Sequence, residues 1–264
     1  MRWRAVFLLG AAAITWAQTP VVAPGGVLNT ASFDRNLPVT AGSLVAVFGS
    51  ELAAGLAQAD TVPLSTSLAN VSVAFNTIAA PLLFVSPGQV NAQVPWNVLP
   101  GSAVSGIASV IVRRGAASSQ SVDVRIAEFS PGIFTLQSGV GQAIAINADG
   151  SLAAPAGSVP GINTAPTSAG QVIIILGTGL GAVEPPVASG ASPGAVLRTT
   201  TTPAKVLIGE REAQVLFSGL SPQFPGVNQL NVIVPAGVAT GDRVALRLQI
   251  GGITTSEQVT IAVR

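Results

Sequence analysis

Ala41-Gly42-Ser43-Leu44-Val45-Ala46-Val47-Phe48-Gly49-Ser50 returns 128 residues later as Ala169-Gly170-Gln171-Val172-Ile173-Ile174-Ile175-Leu176-Gly177-Thr178. In both places Ala-Gly opens a run of aliphatic and β-branched residues, a glycine ends it, and a leucine follows at Leu52 or Leu180. Such runs read as buried strands bounded by turns. More landmarks recur in the same order. Residues 73–84 match 206–217 at an offset of 133, and Gln89-Val90-Asn91 with Val94-Pro95 matches Gln229-Leu230-Asn231 with Val234-Pro235 at 140. At the end of each copy Val122, Val124 and Ile126 answer to Val259, Ile261 and Val263. Fixed order with slowly growing offsets is the mark of one module written twice, the second copy carrying insertions.

Strands are expected at 43–48 and 171–176. Gly209-Glu210 and Gly251-Gly252 read as hairpin turns, the second joining 244–250 to 256–263. Residues 229–234 alternate in polarity until Pro235 ends the run. Many short strands at regular spacing, with no helical periodicity, imply an all-β protein of two tandem immunoglobulin-like antiparallel sandwiches. The expected modules are 18–128 and 129–264, the boundary falling near 126–130 before Pro131-Gly132. Residues 147–161 are a Pro/Gly/Ala-rich connection inside the second module.

Composition agrees with this. The 264 residues include 29 Gly and 19 Pro but only 9% charged residues, while 48% are hydrophobic, which favours turns and a packed core over disorder. Met1-Arg2-Trp3-Arg4, the apolar run 5–14 and Thr15-Trp16-Ala17 form the three parts of a secretory signal peptide, expected to be cut before Gln18. The apolar run is too short for a helix that spans about 30 Å of hydrocarbon, and no later stretch reads as a transmembrane helix. Export places the mature chain in the periplasm or outside the cell. Losing Arg2 and Arg4 leaves 10 basic residues against 11 acidic ones, with no basic surplus for nucleic acid. Arg113-Arg114, the local basic pair, reads as a solvated hairpin end. With no Cys, the fold has no disulfide to lean on.

The motifs also resemble a known family. Ala41-Gly42 through Phe48-Gly49, the run Val-Ser-Pro-Gly-Gln-Val-Asn-Ala-Gln-Val-Pro-Trp at 85–96 and Pro131-Gly132-Ile133-Phe134-Thr135 resemble the uncharacterised Solibacter-type C-terminal domain family of secreted acidobacterial proteins. Asn147-x-Asp149-Gly150-Ser151, Thr178-Gly179-Leu180-Gly181 and Phe217-x-Gly219-Leu220 continue the likeness. Each half is similar to an IPT/TIG module, an immunoglobulin-like fold of adhesion and receptor proteins. The resemblance implies fold and export; it implies no activity and no catalytic residue.

The residue inventory is poor in catalytic groups. Without His there is no imidazole base, triad or imidazole metal ligand, and without Tyr no phenolic acid. Lys205 is the one lysine, and no motif sets a serine beside it. Gly177-Thr178-Gly179-Leu180-Gly181 imitates a dinucleotide loop, but its third glycine comes a residue early and Pro185-Pro186 follow, so a strand-end turn is the simpler reading. Glu210 and Glu212 flank Arg211 on a hairpin and read as solvated. Asn147-Ala148-Asp149-Gly150-Ser151 starts like a calcium loop but has no closing acid, and Asp-Gly also makes turns. The expectation is therefore no catalytic residue, no cofactor and no metal.

Two ligand readings remain. Trp96, the single tryptophan beyond the signal segment, is either a sugar platform or a packing residue at a strand end. The seven residues by which the second copy exceeds the first lie within 218–228. There Leu220 and Phe224 either plug the open end of the sandwich, the favoured reading, or offer a preformed anchor to a partner. The expected function is a secreted, non-enzymatic structural or adhesive protein that contacts a protein at the cell envelope or beyond. The alternative is a carbohydrate-binding module acting on extracellular polysaccharide. Intact-mass measurement of the exported protein is expected to find Gln18 as its first residue; a membrane-bound product retaining residues 1–17 refutes the signal reading.

Overall fold

The computed structural model describes residues 19–264 apart from Glu257; the expected signal segment and its cleavage point lie outside the described residues. Every regular element among the described residues is a β-strand. None is a helix long and apolar enough to cross a membrane.

The first half folds into two facing sheets. One runs in the order Val21–Asn29, Leu44–Ser50, Gln89–Gln93, Leu82–Val85, Ala57–Gln58, and the other Val122–Ile126, Gly106–Arg114, Val71–Phe75, Ile78–Ala79. Their inward positions alternate with exposed ones, as in Gly106–Arg114, where Ala108, Val110 and Val112 are buried between more exposed neighbours. The buried side chains form one core from Val22 to Ile126, with Phe75 as its largest fully buried member. A second core begins at Phe129 and ends at Val263. The molecule is thus two immunoglobulin-like β-sandwiches in tandem, each with its own apolar interior.

The repeat extends to individual hydrogen bonds. Asn91 pairs with Ala46 and Phe84, and Asn231 with Ile174 and Phe217, which are the equivalent positions. A bulge falls at the same place in both copies, between Leu82 and Phe84 and between Val215 and Phe217. Gln89 Nε2 donates to Asn91 Oδ1 at 2.7 Å, and Gln229 Nε2 to Asn231 Oδ1 at 2.9 Å. This bridge gives the repeated Gln-x-Asn a structural use. Ser119 Oγ accepts from the Val112 amide and Thr255 Oγ1 from the Leu248 amide, both at registers 136 residues apart.

Three details depart from the sequence expectation. The sandwiches are not purely antiparallel: Val39 bridges Ile126 and Thr167 bridges Val263 in parallel, and Gly141–Gln142 runs parallel to Val259 and Thr260. These parallel contacts tie the entry of each module to its last strand. The run expected at 256–263 is the shorter strand Val259–Val263, which pairs further along Gly241–Ile250, and the Gly251-Gly252 hairpin is closed instead by Ile253–Thr254. The third detail separates the copies. In the second, Arg211–Leu220 is one long strand that pairs with Lys205–Ile208 in one layer and Asn228–Ile233 in the other. In the first, the equivalent stretch breaks into Ile78–Ala79 and Leu82–Val85 around Pro81, which has no N–H to offer a ladder. Gln214 stands where the first copy has Pro81 and is paired with Ile233. Gln214→Pro is expected to write the same break into the second module and destabilise it by about 1–3 kcal/mol. Chemical denaturation measures this, and an unchanged midpoint refutes the assignment.

Candidate functional site

Two of the stretches singled out in the sequence, Gly177–Gly181 and Trp96, meet at the seam between the modules. The chain crosses it at Glu128-Phe129-Ser130-Pro131-Gly132, and the strand end Gly177-Thr178-Gly179-Leu180-Gly181 receives it. A Cβ on Gly177 would stand 2.5 Å from the Gly132 carbonyl oxygen, one on Gly179 2.0 Å from that of Ser130, and one on Gly181 2.8 Å from the Phe129 ring. Gly177 and Gly179 therefore mark where one backbone lies directly on another, and Gly181 makes room for the Phe129 ring. Gly179 also has φ +87°, a region that L side chains rarely adopt. The resemblance to a phosphate loop follows from this packing. Ser130 N–H donates to the Gly179 carbonyl at 3.0 Å, and Phe129 enters the second core between Gly181 and Gly251.

Polar side chains complete the seam. Asn29, 1% exposed, donates from Nδ2 to the Ser130 carbonyl at 2.7 Å and accepts from the Ala31 amide at 2.7 Å. Thr178 Oγ1 accepts from the Leu44 amide at 3.0 Å and donates to the Gly226 carbonyl at 2.7 Å. Gln93 Nε2 donates to the Gly42 carbonyl at 3.0 Å, and its Oε1 accepts from the Gly190 amide at 2.6 Å. The Gly190 carbonyl accepts from the Leu64 amide at 2.8 Å. Asn29, Thr178 and Gln93 are buried and hydrogen-bonded on both sides of the seam, the condition under which buried polar groups stabilise a fold.

Trp96 belongs to this seam. Its backbone N–H donates to Ser189 Oγ at 3.0 Å, and its ring lies over Gly42, where a Cβ would come within 2.2 Å of it. That ring face is engaged inside the protein. Leu220 is buried, 3% exposed, at the end of Arg211–Leu220. Phe224 corrects the plug reading: it is 52% exposed and does not plug the sandwich. Phe129 from the linker already occupies that end, and the 221–227 tip turns toward the first module. There Gly226 abuts Leu44, with a would-be Cβ 2.6 Å from Leu44 Cδ2. The inserted residues lengthen a hairpin, with Leu220 opposite Asn228 and Ser221 N–H bonded to the Val227 carbonyl. This docking was not legible in the sequence, because it joins a strand residue, Leu44, to a turn glycine 182 positions away.

The other candidates have local explanations. Lys205 Nζ is 3.8 Å from Glu212, and Arg247 is 3.2 Å from Glu210. The two carboxylates are largely solvated and engage different cations. Arg114 contacts Glu51 at 2.9 Å. In the Asn147–Ser151 turn, Asp149 Oδ1 accepts from Ser151 Oγ at 2.6 Å and Ser151 N–H at 2.9 Å. Those bonds hold the Asp149 carboxyl below the usual carboxylate range, and they commit Oδ1 to the turn. Among the described residues no cluster of three or more acidic groups could hold a metal ion.

No family model matches the chain, and no curated protein does. Among solved structures, the I9–I11 tandem of titin is similar over 93% of this chain and 66% of its own, with 10% identity and a TM-score of 0.22. Domains 5–6 of the S-layer protein SbsC match over 93% and 98%, with 13% identity and a TM-score of 0.29. InvD of Yersinia pseudotuberculosis matches over 93% and 57%, with 14% identity and a TM-score of 0.21. The chain thus spans less than two thirds of the titin and InvD chains. At these scores the fold assignment rests on the sheets, registers and cores themselves.

The seam makes Gly179 a testable position. Gly252 has a similar φ of +80° with nothing within 4 Å of a Cβ, so Gly252→Ala is expected to lose only the backbone preference, about 1–2 kcal/mol. Gly179→Ala adds a collision with the Ser130 carbonyl. It is expected to lose more stability in denaturant titration and to raise the radius of gyration in solution scattering. Equal effects of the two substitutions refute the close approach.

Proposed function

We propose that this chain is an exported, non-enzymatic structural or adhesive protein of the Solibacter-type family, acting through protein contact at the cell envelope or outside the cell. The observation that carries the reading is a rigidly held apolar surface beside the seam. Gly194 N–H donates to the Pro222 carbonyl at 3.2 Å and Leu220 N–H to the Arg198 carbonyl at 2.9 Å, so segment 193–198 and tip 221–227 are bonded together. They expose Val196 (50%), Leu197 (68%) and Phe224 (52%). Apolar side chains kept in water on a preordered framework lower the ordering cost when a partner covers them. Export is read from residues 1–17, and the non-enzymatic reading from the absence of His, Cys and Tyr with a single Lys.

The decisive variant is Phe224→Ala. Its stability is expected to stay within about 0.5 kcal/mol of the parent, as for an exposed side chain, while capture of an envelope protein weakens. Pull-down from the native envelope, beside a glycan array, measures both readings. Glycan binding unaffected by Phe224→Ala favours the polysaccharide alternative. A stability loss of about 3–5 kcal/mol means that Phe224 is buried and the anchor reading is wrong.

A further inference from the structure

Two open clefts adjoin beside the strand Gly141–Gln142, one of ≈ 620 Å³ and one of ≈ 780 Å³, with Val140 and Gln258 lining both. Each falls in the range of ligand sites, about 300–1,000 Å³. The smaller is walled by both modules: Ser32, Phe33 and Asp34 come from the first, Ser138 and Thr254 from the second. Its shape is fixed by backbone packing. A Cβ on Gly139 would stand 2.2 Å from the Ser32 carbonyl oxygen. The Ser32 amide donates to Asn29 Oδ1 at 3.3 Å and the Phe33 amide to the Asn29 carbonyl at 2.9 Å. Phe33 and Ser138 both hold a left-handed φ, +51° and +53°. Residues other than glycine seldom adopt that region, and such strain gathers at ligand sites. In the larger cleft Gln137 is pinned by its Oε1, which accepts from the Gln142 amide at 3.0 Å and leaves the Nε2 hydrogens outward for a ligand.

We propose that the paired clefts bind a linear, neutral polysaccharide, with sugar units of one chain seated in each. The side chains of Ser138, Ser158, Thr254 and Gln258 are exposed and have no hydrogen-bond partner among the described residues, so a ligand can reach them. Hydroxyls and primary amides both donate and accept, which matches the hydroxyls of a sugar chain. Phe33, half-buried on the lining, supplies an aromatic surface for the C–H face of a sugar. Trp96 does not fill that role, since its ring is engaged over Gly42. Charge argues for a neutral chain. Among the described residues the ionisable groups on the two linings are Asp34, Asp242 and Arg243, and Asp242 is paired with Arg264. An extended peptide would need a free strand edge, but the backbone here is already paired. Leu136 N–H donates to the Gln142 carbonyl at 2.9 Å, Gly141 N–H to that of Gln258 at 2.8 Å and Ala143 N–H to that of Thr260 at 2.9 Å. Adjoining clefts favour a polymer over a single sugar, because one chain that occupies both gains from the second contact at high effective concentration. The site develops the polysaccharide reading and uses none of the Phe224 surface.

The test is calorimetric titration of the exported chain with cellohexaose, xylohexaose, laminarihexaose and maltohexaose. Hexagalacturonate serves as the polyanionic control and acetylated hexaserine amide as the neutral peptide control. At least one neutral hexasaccharide is expected to bind with a Kd on the order of 0.1–1 mM and roughly tenfold more tightly than its disaccharide. It is also expected to shift the Gln258 side-chain amide resonance, assigned by its loss in Gln258→Ala. Gln258→Ala, at an exposed position shared by both clefts, is expected to weaken that sugar roughly tenfold with an unchanged melting temperature. Phe33→Leu, which keeps apolar bulk but removes the ring, is expected to weaken it by a similar factor; if this variant is less stable, Gln258→Ala decides. Phe224→Ala is expected to leave sugar affinity unchanged, and Gln258→Ala to leave capture of an envelope protein unchanged, so this proposal and the protein-contact reading fail separately. No binding of any of the four sugars up to about 10 mM, tighter binding of the uronate or the peptide, or sugar binding that Gln258→Ala does not weaken overturns the proposal.

Discussion

The seam depends on the close approach of the linker backbone at Ser130 to Gly179. Two backbones can lie this close only where no Cβ intervenes, and the 2.0 Å clearance to a would-be Cβ leaves no room for any other residue. Around this point the hydrogen bonds of Asn29, Thr178 and Gln93 reach across the seam, and Phe129 is carried into the second core. Of these groups Asn29 bonds the linker itself, while Thr178 and Gln93 tie the flanking segments 42–44, 190 and 226. Interfaces between domains of one chain are by default mobile unless extensive contacts hold them; here buried polar groups satisfied on both sides oppose hinging.

The two copies share their internal register but not their ends. Ser50 occupies the place of Thr178, and the four-residue turn after Val85 the place of the 221–227 tip. The second module's version of this end is adapted to grip the first. Its insertion supplies Gly226 against Leu44, and its 185–198 segment supplies Ser189 to Trp96 and Gly190 to Gln93. Divergence is thus concentrated where the copies meet, while the parts that build each sandwich have kept their partners, as the paired Gln89–Asn91 and Gln229–Asn231 bridges show.

This division explains what could be read in the sequence. Strand alternation, glycine-bounded runs and the ordered repeat arise from local periodicity, so the two sandwiches and the Asn91–Asn231 equivalence were legible. The parallel bridges at Val39 and Thr167 were not, since each rests on a single residue pair distant in sequence. The exposure of Phe224 was hidden for a related reason. Composition can say that a scarce aromatic is worth burying, but not that Phe129, more than ninety residues earlier, has already filled that end. Trp96 was read as either a sugar platform or a packing residue, and its actual neighbours, Gly42 and Ser189, come from opposite modules.

A seam of this kind also changes what a surface beside it can do. An apolar side chain on a mobile loop loses part of its binding energy to the entropy of being ordered. Segment 193–198 avoids much of that cost, because it is bonded to the tip that carries Phe224, and the tip in turn rests on Leu44. Loosening the linker would therefore act at a distance on the exposed surface through direct contacts: Gly179 to Thr178, Thr178 to Gly226, and Gly226 to the turn that holds Phe224. Every step is a covalent neighbour or a hydrogen bond. The geometry of the exposed patch is consequently set by the packing of the two modules and not by the patch residues themselves.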